Sequence, residues 1–266
     1  MKEVKLKKEK EPLILITNDD GISAKGLKSL INVLKSFGKL MVVAPEYQCS
    51  GTSHAITVKV PLRVNKVSEN RNIIIYSCSG TPVDCVKLAL NQLLERKPDL
   101  LISGINHGSN ASISVVYSGT MAAAIEGCIN KVPSVGLSLI DHSKDADFTL
   151  ACKYSKKIAE NILKNSLPAE TCLNVNFPVV SLDEVKGVKI CRQTKGFWKE
   201  EFEKKTDPNK RPYYWLTGNF VNFESEAKET DEWALRNKYV SIVPVQVDFT
   251  SYKAIEDLKK WNFELC

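Results

Sequence analysis

The sequence predicts an α/β protein, because short apolar runs alternate with longer stretches of helical apolar spacing up to about residue 180. From about residue 187 the pattern changes to short runs rich in aromatic and β-branched residues, joined by turn signals. Repeated alternation of strand and helix is typical of a parallel sheet with helices on both faces. We therefore expect a Rossmann-like, doubly wound, mostly parallel sheet with a C-terminal β-hairpin arm and a terminal helix.

The first strand and the first helix are predicted near the beginning of the chain. LILIT, residues 13–17, is an apolar run of strand length. The stretch SAKGLKSLINVLKSFG follows it and carries apolar residues at 27, 30, 31 and 34, which is the spacing of one helix face. Ser23 is the expected N-cap of this helix, and Gly38 is its expected end.

The second predicted helix has the clearest start signal. Two strands precede it, LMVVAP at 40–45 and NIIIYS at 72–77. In GTPVDCVKLALNQLLE, Thr81 can act as the N-cap, Pro82 occupies the first helical position and Asp84 lies at N3. This arrangement predicts a capping box in which aspartate replaces the usual glutamate.

The alternation continues to the end of the predicted core. The expected strands are PDLLISG at 98–104, PSVGLSL at 133–139 and CLNVNFP at 172–178. The expected helices are SGTMAAAIEGCI at 118–129 and a helix from about 147 to 165. In such sheets, ligands bind beyond the carboxyl ends of the strands, where polar clusters of this chain fall.

The C-terminal region predicts an arm. GVKICRQT, GFWKEEFE and RPYYWLTG are expected to form antiparallel strands, with TDPNKRP as the turn between the last two. A short helix and a strand follow, and then a final helix from about 251 to 262. The expected division is a disordered basic tail at 1–11, the catalytic core at 12–190, and an oligomerisation arm with the last strand and helix at 191–266.

Composition and charge argue against several classes of protein. The chain has 266 residues, 43% of them hydrophobic, and no apolar run approaches the roughly 20 residues that span a bilayer. The N-terminus MKEVKLKKEKEP is basic but lacks the apolar core of a secretion signal, so we expect a cytoplasmic protein without a membrane partner. The eight cysteines form no C-x-x-C pair, which favours reduced, mostly buried thiols, with Cys49 in a polar loop.

The aromatic and basic cluster of the arm raises the alternative of nucleic-acid binding. Lys210, Arg211 and the aromatic run 213–215 resemble a surface for single strands. However, residues 195–211 carry six positive and four negative side chains, which indicates mixed surface charge on a hairpin. We expect no nucleic-acid polymer as partner, and pairing of the arm with another subunit instead.

The turn NDDG after the first strand places two carboxylates side by side. Asp19 and Asp20 would point to opposite faces of an extended strand, so they address one point only if the chain turns sharply, which Gly21 permits. Two carboxylates about 4 Å apart repel by about 4 kcal/mol at an effective dielectric of about 20. A divalent cation makes the pair favourable, because it binds carboxylates and shares its other positions with water and phosphate.

Two neutral oxygen donors on neighbouring loops are candidates for the same cation. Ser50 lies in CSGTSH and Asn106 in SGINHG, although either residue can also serve as an ordinary turn residue. Cysteine and histidine are not gathered at these positions, which favours Mg²⁺ or Mn²⁺ over zinc. We expect one such ion per subunit.

The segment SGINHGSNASISVVYSGT, residues 103–120, predicts a phosphate site. Its glycines, asparagines and hydroxyls come directly before a helix, and the amides near Gly119 and Thr120 can hold a phosphate. The segment is neither a Walker loop nor a dinucleotide fingerprint. His54 and His107 are candidate proton donors that we keep outside the catalytic set.

At these residues the sequence resembles the SurE family of survival proteins. The resemblance rests on LITNDDGISAKGLKSL, VVAPEYQCSGTSHAIT, GTPVDCVKLAL, PDLLISGINHGSNASISVVYSGTMAAAIEG and YVSIVP, in the expected order over nearly the whole chain. DPNKRPYYW and TDEWAL are also similar to family segments. Two departures are mild: Glu46 replaces the usual aspartate, and DPNKRPYYW replaces the commoner DPRGRPYYW.

The resemblance implies a metal-dependent phosphatase that hydrolyses nucleoside 5′- and 3′-monophosphates and forms dimers or tetramers through a swapped C-terminal arm. It implies Asp19, Asp20, Ser50 and Asn106 as metal ligands. The expected phosphate and substrate contacts are Asn18, Gly51, Asn106, Asn110, Ser118, Gly119 and Thr120. We expect the metal to screen and polarise the phosphate and to activate a water, with Asp19 or Asp20 as the catalytic group that orients this water or accepts its proton.

Two alternatives stay open at this point. A non-catalytic nucleotide or metal sensor would use the same pocket, and phosphate release from AMP or GMP with manganese separates it from an enzyme. A Rossmann oxidoreductase is disfavoured by the missing glycine fingerprint.

Overall fold

The computed structural model describes residues 11–199 and 201–263; the expected tail at 1–11 lies outside these ranges except for its last residue. The described strands are β1 (Leu13–Thr17), β2 (Lys39–Pro45), β3 (Val64–Glu69), β4 (Ile73–Cys78), β5 (Leu100–His107), β6 (Ser134–Leu139), β7 (Thr171–Phe177), β8 (Val188–Ile190), β9 (Gly196–Lys199), β10 (Phe202–Thr206), β11 (Pro212–Leu216), β12 (Asn219–Asn222) and β13 (Val240–Gln246). Nine of them form the central sheet, in the order β3-β4-β2-β1-β5-β6-β7-β13-β8.

The central strands run parallel, as the sequence predicts. β1 lies between β2 and β5 and pairs with both in parallel, so that Ile14 faces Leu40 on one side and Leu100 on the other. Among the described strands, antiparallel neighbours in this sheet lie towards its two edges, where β3 pairs with β4 and β13 with β7. The chain moves outward from β1 in one direction and then returns through β5 in the other, which makes the β1–β5 boundary the switch point where ligands bind.

Helices cover both faces of the sheet, which confirms the doubly wound arrangement. The helices are α1 (Lys25–Leu34), α2 (Pro82–Leu88), α3 (Gly119–Ile129), α4 (Thr149–Asn165), α5 (Asp231–Arg236) and α6 (Tyr252–Leu258). Ile14 and Ile16 of β1 pack with Leu27 and Leu30 of α1 and with apolar residues of α4. Leu15 points to the other face and packs with residues of α2 and α3, as the alternation of a strand requires. No described helix has the length and apolar character to cross a membrane.

The ends of α1 differ from the sequence prediction. Ala24, not Ser23, occupies the N-cap position, and no side chain caps the helix. The helix ends at Leu34, four residues before Gly38. Gly38 instead lies where the turn into β2 crosses the chain before β1, since a Cβ there would be 2.2 Å from the Pro12 carbonyl oxygen. Close approach of two backbones, rather than helix termination, therefore requires this glycine.

The capping box of α2 is confirmed. The Thr81 hydroxyl accepts a hydrogen bond from the Asp84 amide at 3.1 Å, and the Asp84 carboxylate accepts one from the Thr81 amide at 2.9 Å. Asp84 also accepts a hydrogen bond from the Thr57 amide at 3.1 Å, which ties the long loop after β2 to this helix. The helix continues as a π-helical turn over Ala89–Leu93.

The arm contains two antiparallel ribbons. β10 and β11 form the hairpin expected around TDPNKRP, with Phe202 opposite Leu216 and Thr206 opposite Pro212. GFWKEEFE is not one strand, because β9 and β10 are separate and β9 pairs with β12. The sequence predicts an antiparallel pair for GVKICRQT, and this prediction is wrong, because β8 pairs in parallel with β13. The arm and α5 lie between these two strands in the chain, and such a long crossover connection permits parallel pairing.

A fully buried carboxylate fixes the base of the arm to the core. Asp231, at the start of α5, accepts hydrogen bonds from the Ser112 amide at 2.8 Å and from the Thr194 amide at 3.0 Å. The Thr194 hydroxyl donates to the same carboxylate at 2.5 Å, and the Ser112 hydroxyl donates to the Thr194 carbonyl at 2.8 Å. The segment after β5 and the segment that enters the arm are therefore held at a fixed distance.

The neighbouring Glu232 makes the stability depend on pH. Burial, and then the charge of Asp231, raise the pKa of this half-buried carboxyl from 4.5 to about 7. Between these two values the folded state binds more protons than the unfolded state, so the stabilisation that is present below pH 4.5 is lost as the pH rises through about 7. We expect Glu232→Gln to raise the Tm at pH 8 and to leave it unchanged near pH 4. Equal Tm shifts at both pH values would contradict this assignment.

Candidate active site

A cavity of about 570 Å³ opens at the carboxyl edge of the sheet, beside the switch point between β1 and β5. The loops after β1, β2 and β5 line it with polar residues, and the arm contributes Trp198, Glu201, Leu216 and Thr217 to the lining. Polar clusters that are far apart in sequence therefore meet at one place, as expected from the parallel strands. Ligand pockets in proteins commonly have volumes of about 300–1,000 Å³, so the cavity can hold a small organic molecule.

The chain turns sharply directly after β1. Gly21 has a φ of +94°, a conformation that L side chains rarely adopt, and a Cβ there would lie 3.2 Å from the Tyr47 carbonyl carbon. The Asn18 side-chain amide donates to the Gly21 carbonyl at 3.0 Å and closes the turn. The Asp19 carbonyl accepts a hydrogen bond from the Cys49 amide at 2.7 Å, which joins this turn to the loop that carries Ser50.

Asp19 lies against the N-terminus of α3. Asp19 is only 4% exposed, and its Oδ1 accepts a hydrogen bond of 2.5 Å from the Thr120 hydroxyl. A Cβ at Gly119 would be 2.8 Å from the Asp19 Cβ, so only glycine allows the helix to approach so closely. Burial raises the pKa of Asp19 to about 6; the Thr120 hydrogen bond opposes this rise and the charge of Asp20 adds to it.

Asp20 joins the other two loops. Its Oδ2 accepts a hydrogen bond from the His107 amide at 3.0 Å, and its Oδ1 lies 3.4 Å from the Gln48 side-chain nitrogen. Burial raises the pKa of Asp20, and the hydrogen bond from the His107 amide opposes the rise. The Gln48 nitrogen also donates to the Ser50 hydroxyl oxygen at 2.8 Å, so one amide group spans Asp20 and Ser50.

Asn106 presents its amide oxygen as an acceptor. Its side-chain nitrogen donates to the Gly108 carbonyl at 2.9 Å, which fixes the orientation of the amide group. Gly108 has a φ of +104°, and the His142 ring occupies the space that a Cβ would need there. This close contact brings His142 from the loop after β6 to the cavity wall.

Three buried asparagines form a closed ring of hydrogen bonds around the backbone of Asn110. The Asn110 amide donates to Asn176 Oδ1 at 2.8 Å, Asn176 donates to Asn174 Oδ1 at 2.9 Å, and Asn174 donates back to the Asn110 carbonyl at 2.7 Å. The Asn110 side-chain nitrogen donates to the Ser138 hydroxyl at 2.8 Å. The ring is anchored on β7, so the sheet itself positions Asn110 in the cavity wall.

Most of the site residues predicted from the sequence come together at this cavity, but only some of them line it. Those that line the cavity are Asp19, Ser50, Gly51, Asn106, Asn110 and Ser118. Asp20, Asn18, Gly119 and Thr120 lie outside the lining, and they act on it through the contacts described above or through chain neighbours. Within the described residues, no group of three or more His, Cys, Asp or Glu side chains is placed to hold a metal, so any cation here needs the neutral oxygens.

The three histidines have different surroundings. His107 and His142 line the cavity, whereas His54 does not. His54 Nε2 lies 3.0 Å from Glu126 Oε2, and Lys87 pairs with the other oxygen at 2.9 Å. These contacts lower the pKa of Glu126 to about 2, and the hydrogen bond with His54 has the largest effect. His54 therefore fastens the loop that follows Ser50 to α3.

Several lining residues were not found from the sequence. Gln48 is two residues from Ser50, and Tyr117 directly precedes Ser118. Their closeness in sequence to predicted site residues could have indicated that they line the cavity. Trp198 and Leu216 come from the arm, and nothing in the local sequence indicates that the arm reaches the cavity.

The fold and the site define an α/β protein with a carboxylate-bearing cavity at the switch point of a doubly wound sheet. The family model described as Survival protein SurE matches residues 14–200. A relative named 5′-nucleotidase SurE from Flavobacterium psychrophilum is 53% identical, over 95% of this chain and 98% of its own. A relative of the same name from Christiangramia forsetii is 53% identical, over 96% of this chain and 98% of its own.

A solved structure gives the same result. The SurE protein from Aquifex aeolicus superposes with a TM-score of 0.82 at 38% identity and covers 93% of this chain and 98% of its own. The chain therefore belongs to the SurE family.

Proposed function

We propose that this protein is a metal-dependent phosphatase that hydrolyses nucleoside 5′- and 3′-monophosphates to nucleoside and phosphate. The names of the relatives support the 5′-nucleotidase part of this proposal. The observation that carries it is the convergence of Asp19, Asp20, Ser50 and Asn106 beside the N-terminus of a helix. Oxygen donors and helix amides in one place suit a hard cation together with a phosphate.

The residues present fit one divalent cation, Mg²⁺ or Mn²⁺. The site is rich in oxygen acceptors: Asn18 Oδ1 is buried without a hydrogen-bond partner among the described residues, next to two carboxylates whose pKa values burial raises. None of the described residues that line the cavity is lysine or arginine, so the protein offers little positive charge of its own to a phosphate. Asp19, Asp20, Ser50 and Asn106 would hold the ion.

The proposed mechanism assigns the chain's own residues to positioning and proton transfer. A bound divalent cation supplies the positive charge that activates water and offsets the charge of the phosphate. Asp19 or Asp20 orients the attacking water or accepts its proton, and the Thr120 hydroxyl holds the Asp19 carboxylate in place. Asn110, Ser118 and the adjacent Gly119 amide bind the phosphate oxygens, whereas the Thr120 amide is engaged by the Asp19 carboxylate.

We further propose that the protein is a homodimer or homotetramer joined through the arm. The β10–β11 hairpin exposes large apolar side chains on both faces, Tyr213 and Trp215 on one and Phe202, Tyr214 and Leu216 on the other. Exposed apolar side chains gathered on one hairpin are typical of a protein–protein contact.

Removal of the metal is the direct test of the proposed function. We expect phosphate release from AMP and 3′-AMP with Mn²⁺ or Mg²⁺, loss of release after thorough chelation, and recovery when the metal is added back. Full activity after chelation would overturn the metal assignment. Nucleotide binding by calorimetry without any phosphate release would show a sensor instead of an enzyme.

A further inference from the structure

The walls of the cavity differ in chemistry. The core wall is formed by residues that include Asp19, Ser50 and Asn106, and the arm contributes Trp198 and Leu216 to the lining. Tyr117 also lines the cavity, one residue before the N-cap of α3. A phosphate and a cation account for the polar residues alone, so the aromatic residues are available to another part of the ligand.

Trp198 is held in place without a ligand. It lies opposite Phe220 in the β9–β12 ribbon, and the two rings meet edge to face with centroids 6.1 Å apart. The Phe220 ring in turn packs over Gly196, where a Cβ would be 2.4 Å from its Cζ atom. A ring that is already ordered loses little conformational entropy when a ligand stacks on it.

Tyr117 offers a second ring from the core side. Its amide donates to the Ser114 carbonyl at 3.1 Å, and its own carbonyl accepts from the Ser53 amide at 3.1 Å. The backbone is thus fixed on both sides, while the residue stays 53% exposed. An aromatic ring on a fixed backbone beside a cavity is well suited to stack on a planar ligand.

We propose that Tyr117 and Trp198 bind the nucleobase of the substrate by stacking. This inference rests on the proposed function for the identity of the ligand. Glu201 also lines the cavity, from the arm. It is not among the proposed cation ligands, so its carboxylate disfavours a phosphate on the arm side, which favours the phosphate at the core wall and the base at the arm. Stacking discriminates weakly between bases because every base has a π-face.

The kinetic test compares two substrates that differ only by the base. For Trp198→Ala and Tyr117→Ala, we expect kcat/KM for AMP to fall about tenfold, the loss typical of one base–aromatic stack. Hydrolysis of ribose 5-phosphate should be unchanged, because this substrate has no base. The matched control is Phe197→Ala, since Phe197 neighbours Trp198 but stacks on Phe223 and lies outside the cavity lining. Trp198→Phe and Tyr117→Phe should retain most of the activity on AMP.

Two outcomes overturn the inference. Equal losses on AMP and ribose 5-phosphate would show general damage to the site, and an unchanged kcat/KM for AMP in both alanine variants would show that no stacking occurs. If Trp198→Ala fails to fold, Tyr117→Ala still tests the inference, because Tyr117 is exposed and its replacement should not disturb the fold.

A binding measurement separates this inference from the proposed function. Adenosine lacks the phosphate, and its binding to the full chain without added metal can be followed by saturation-transfer NMR. We expect a signal that Trp198→Ala and Tyr117→Ala each reduce strongly and Phe197→Ala keeps. If the protein does not hydrolyse AMP but shows this pattern, the nucleobase site stands and the nucleotidase activity does not. If adenosine gives no signal or all variants keep it, the nucleobase site is refuted, whatever the activity.

Discussion

Phosphate release from AMP should fall by a factor of about 10² to 10⁴ when Asp19 is replaced by asparagine, the range associated with loss of a positioned acid–base group. The fold should survive, because the asparagine Oδ1 can still accept the hydrogen bond from the Thr120 hydroxyl. Removal of the charge also removes the burial penalty that raises the pKa of Asp19. The Tm of Asp19→Asn is therefore expected to equal or exceed that of the unchanged protein.

Two measurements make this result specific to the site. Calorimetric titration with Mn²⁺ should show weaker binding to Asp19→Asn, because a neutral amide replaces a carboxylate ligand. Asp145→Asn is the matched control, since Asp145 is exposed and lies outside the cavity lining, and its turnover should be unchanged. Near-normal turnover of Asp19→Asn with full Mn²⁺ binding would show that the assignment of Asp19 is wrong.

Replacing Asn176 by alanine should affect both stability and activity, although Asn176 lies outside the cavity lining. The change removes the acceptor of the buried Asn110 amide and the donor to Asn174 Oδ1. Each buried group left without a partner costs about 1–3 kcal/mol, so the free energy of unfolding should fall by at least that amount. Displacement of Asn110 by about 1 Å should lower kcat about 100-fold.

Denaturant unfolding and AMP hydrolysis measure the two effects of Asn176→Ala. Asn161→Ala is the control, because Asn161 is exposed and its side chain donates only to its own helix, at the Lys157 carbonyl. Ser138→Ala should be milder, since it removes the partner of the Asn110 side chain and leaves the ring around its backbone closed. Unchanged stability and activity in Asn176→Ala would mean that the ring does not position Asn110.

Much of the fold was predictable because its signals are local. The alternation of apolar runs, the Thr81–Asp84 box and the turn at Gly21 depend on residues close in sequence, and the structure contains all three. The local signal was wrong at Ser23, because Ala24 occupies the N-cap position and makes no side-chain cap hydrogen bond. A preference for capping is weak compared with the packing of an amphipathic helix on a sheet.

The parts that were not predicted depend on contacts between distant residues. The parallel direction of β8 is decided by the position of β13, about 50 residues later in the chain. Trp198 reaches the cavity because Asp231 fixes the base of the arm to Ser112, a contact between residues 119 positions apart. Periodicity and motif spacing carry no information on such contacts. The polar wall of the cavity could therefore be inferred from the strand ends, and the aromatic wall could not.

Because β9 pairs with β12, the segment between these two strands has the geometry of an insertion into the core. Gly196 and Asn222 are register partners, so the polypeptide departs from and returns to the body at adjacent points. The strand after it, β13, lies inside the nine-stranded sheet between β7 and β8. Lengthening, shortening or excising residues 197–221 thus leaves the sheet connected, whereas any C-terminal truncation that reaches this segment deletes an interior strand. A change in the length of residues 197–221 can therefore alter which molecules fit beside Asp19 and Asp20 without any change in the sheet that positions these carboxylates.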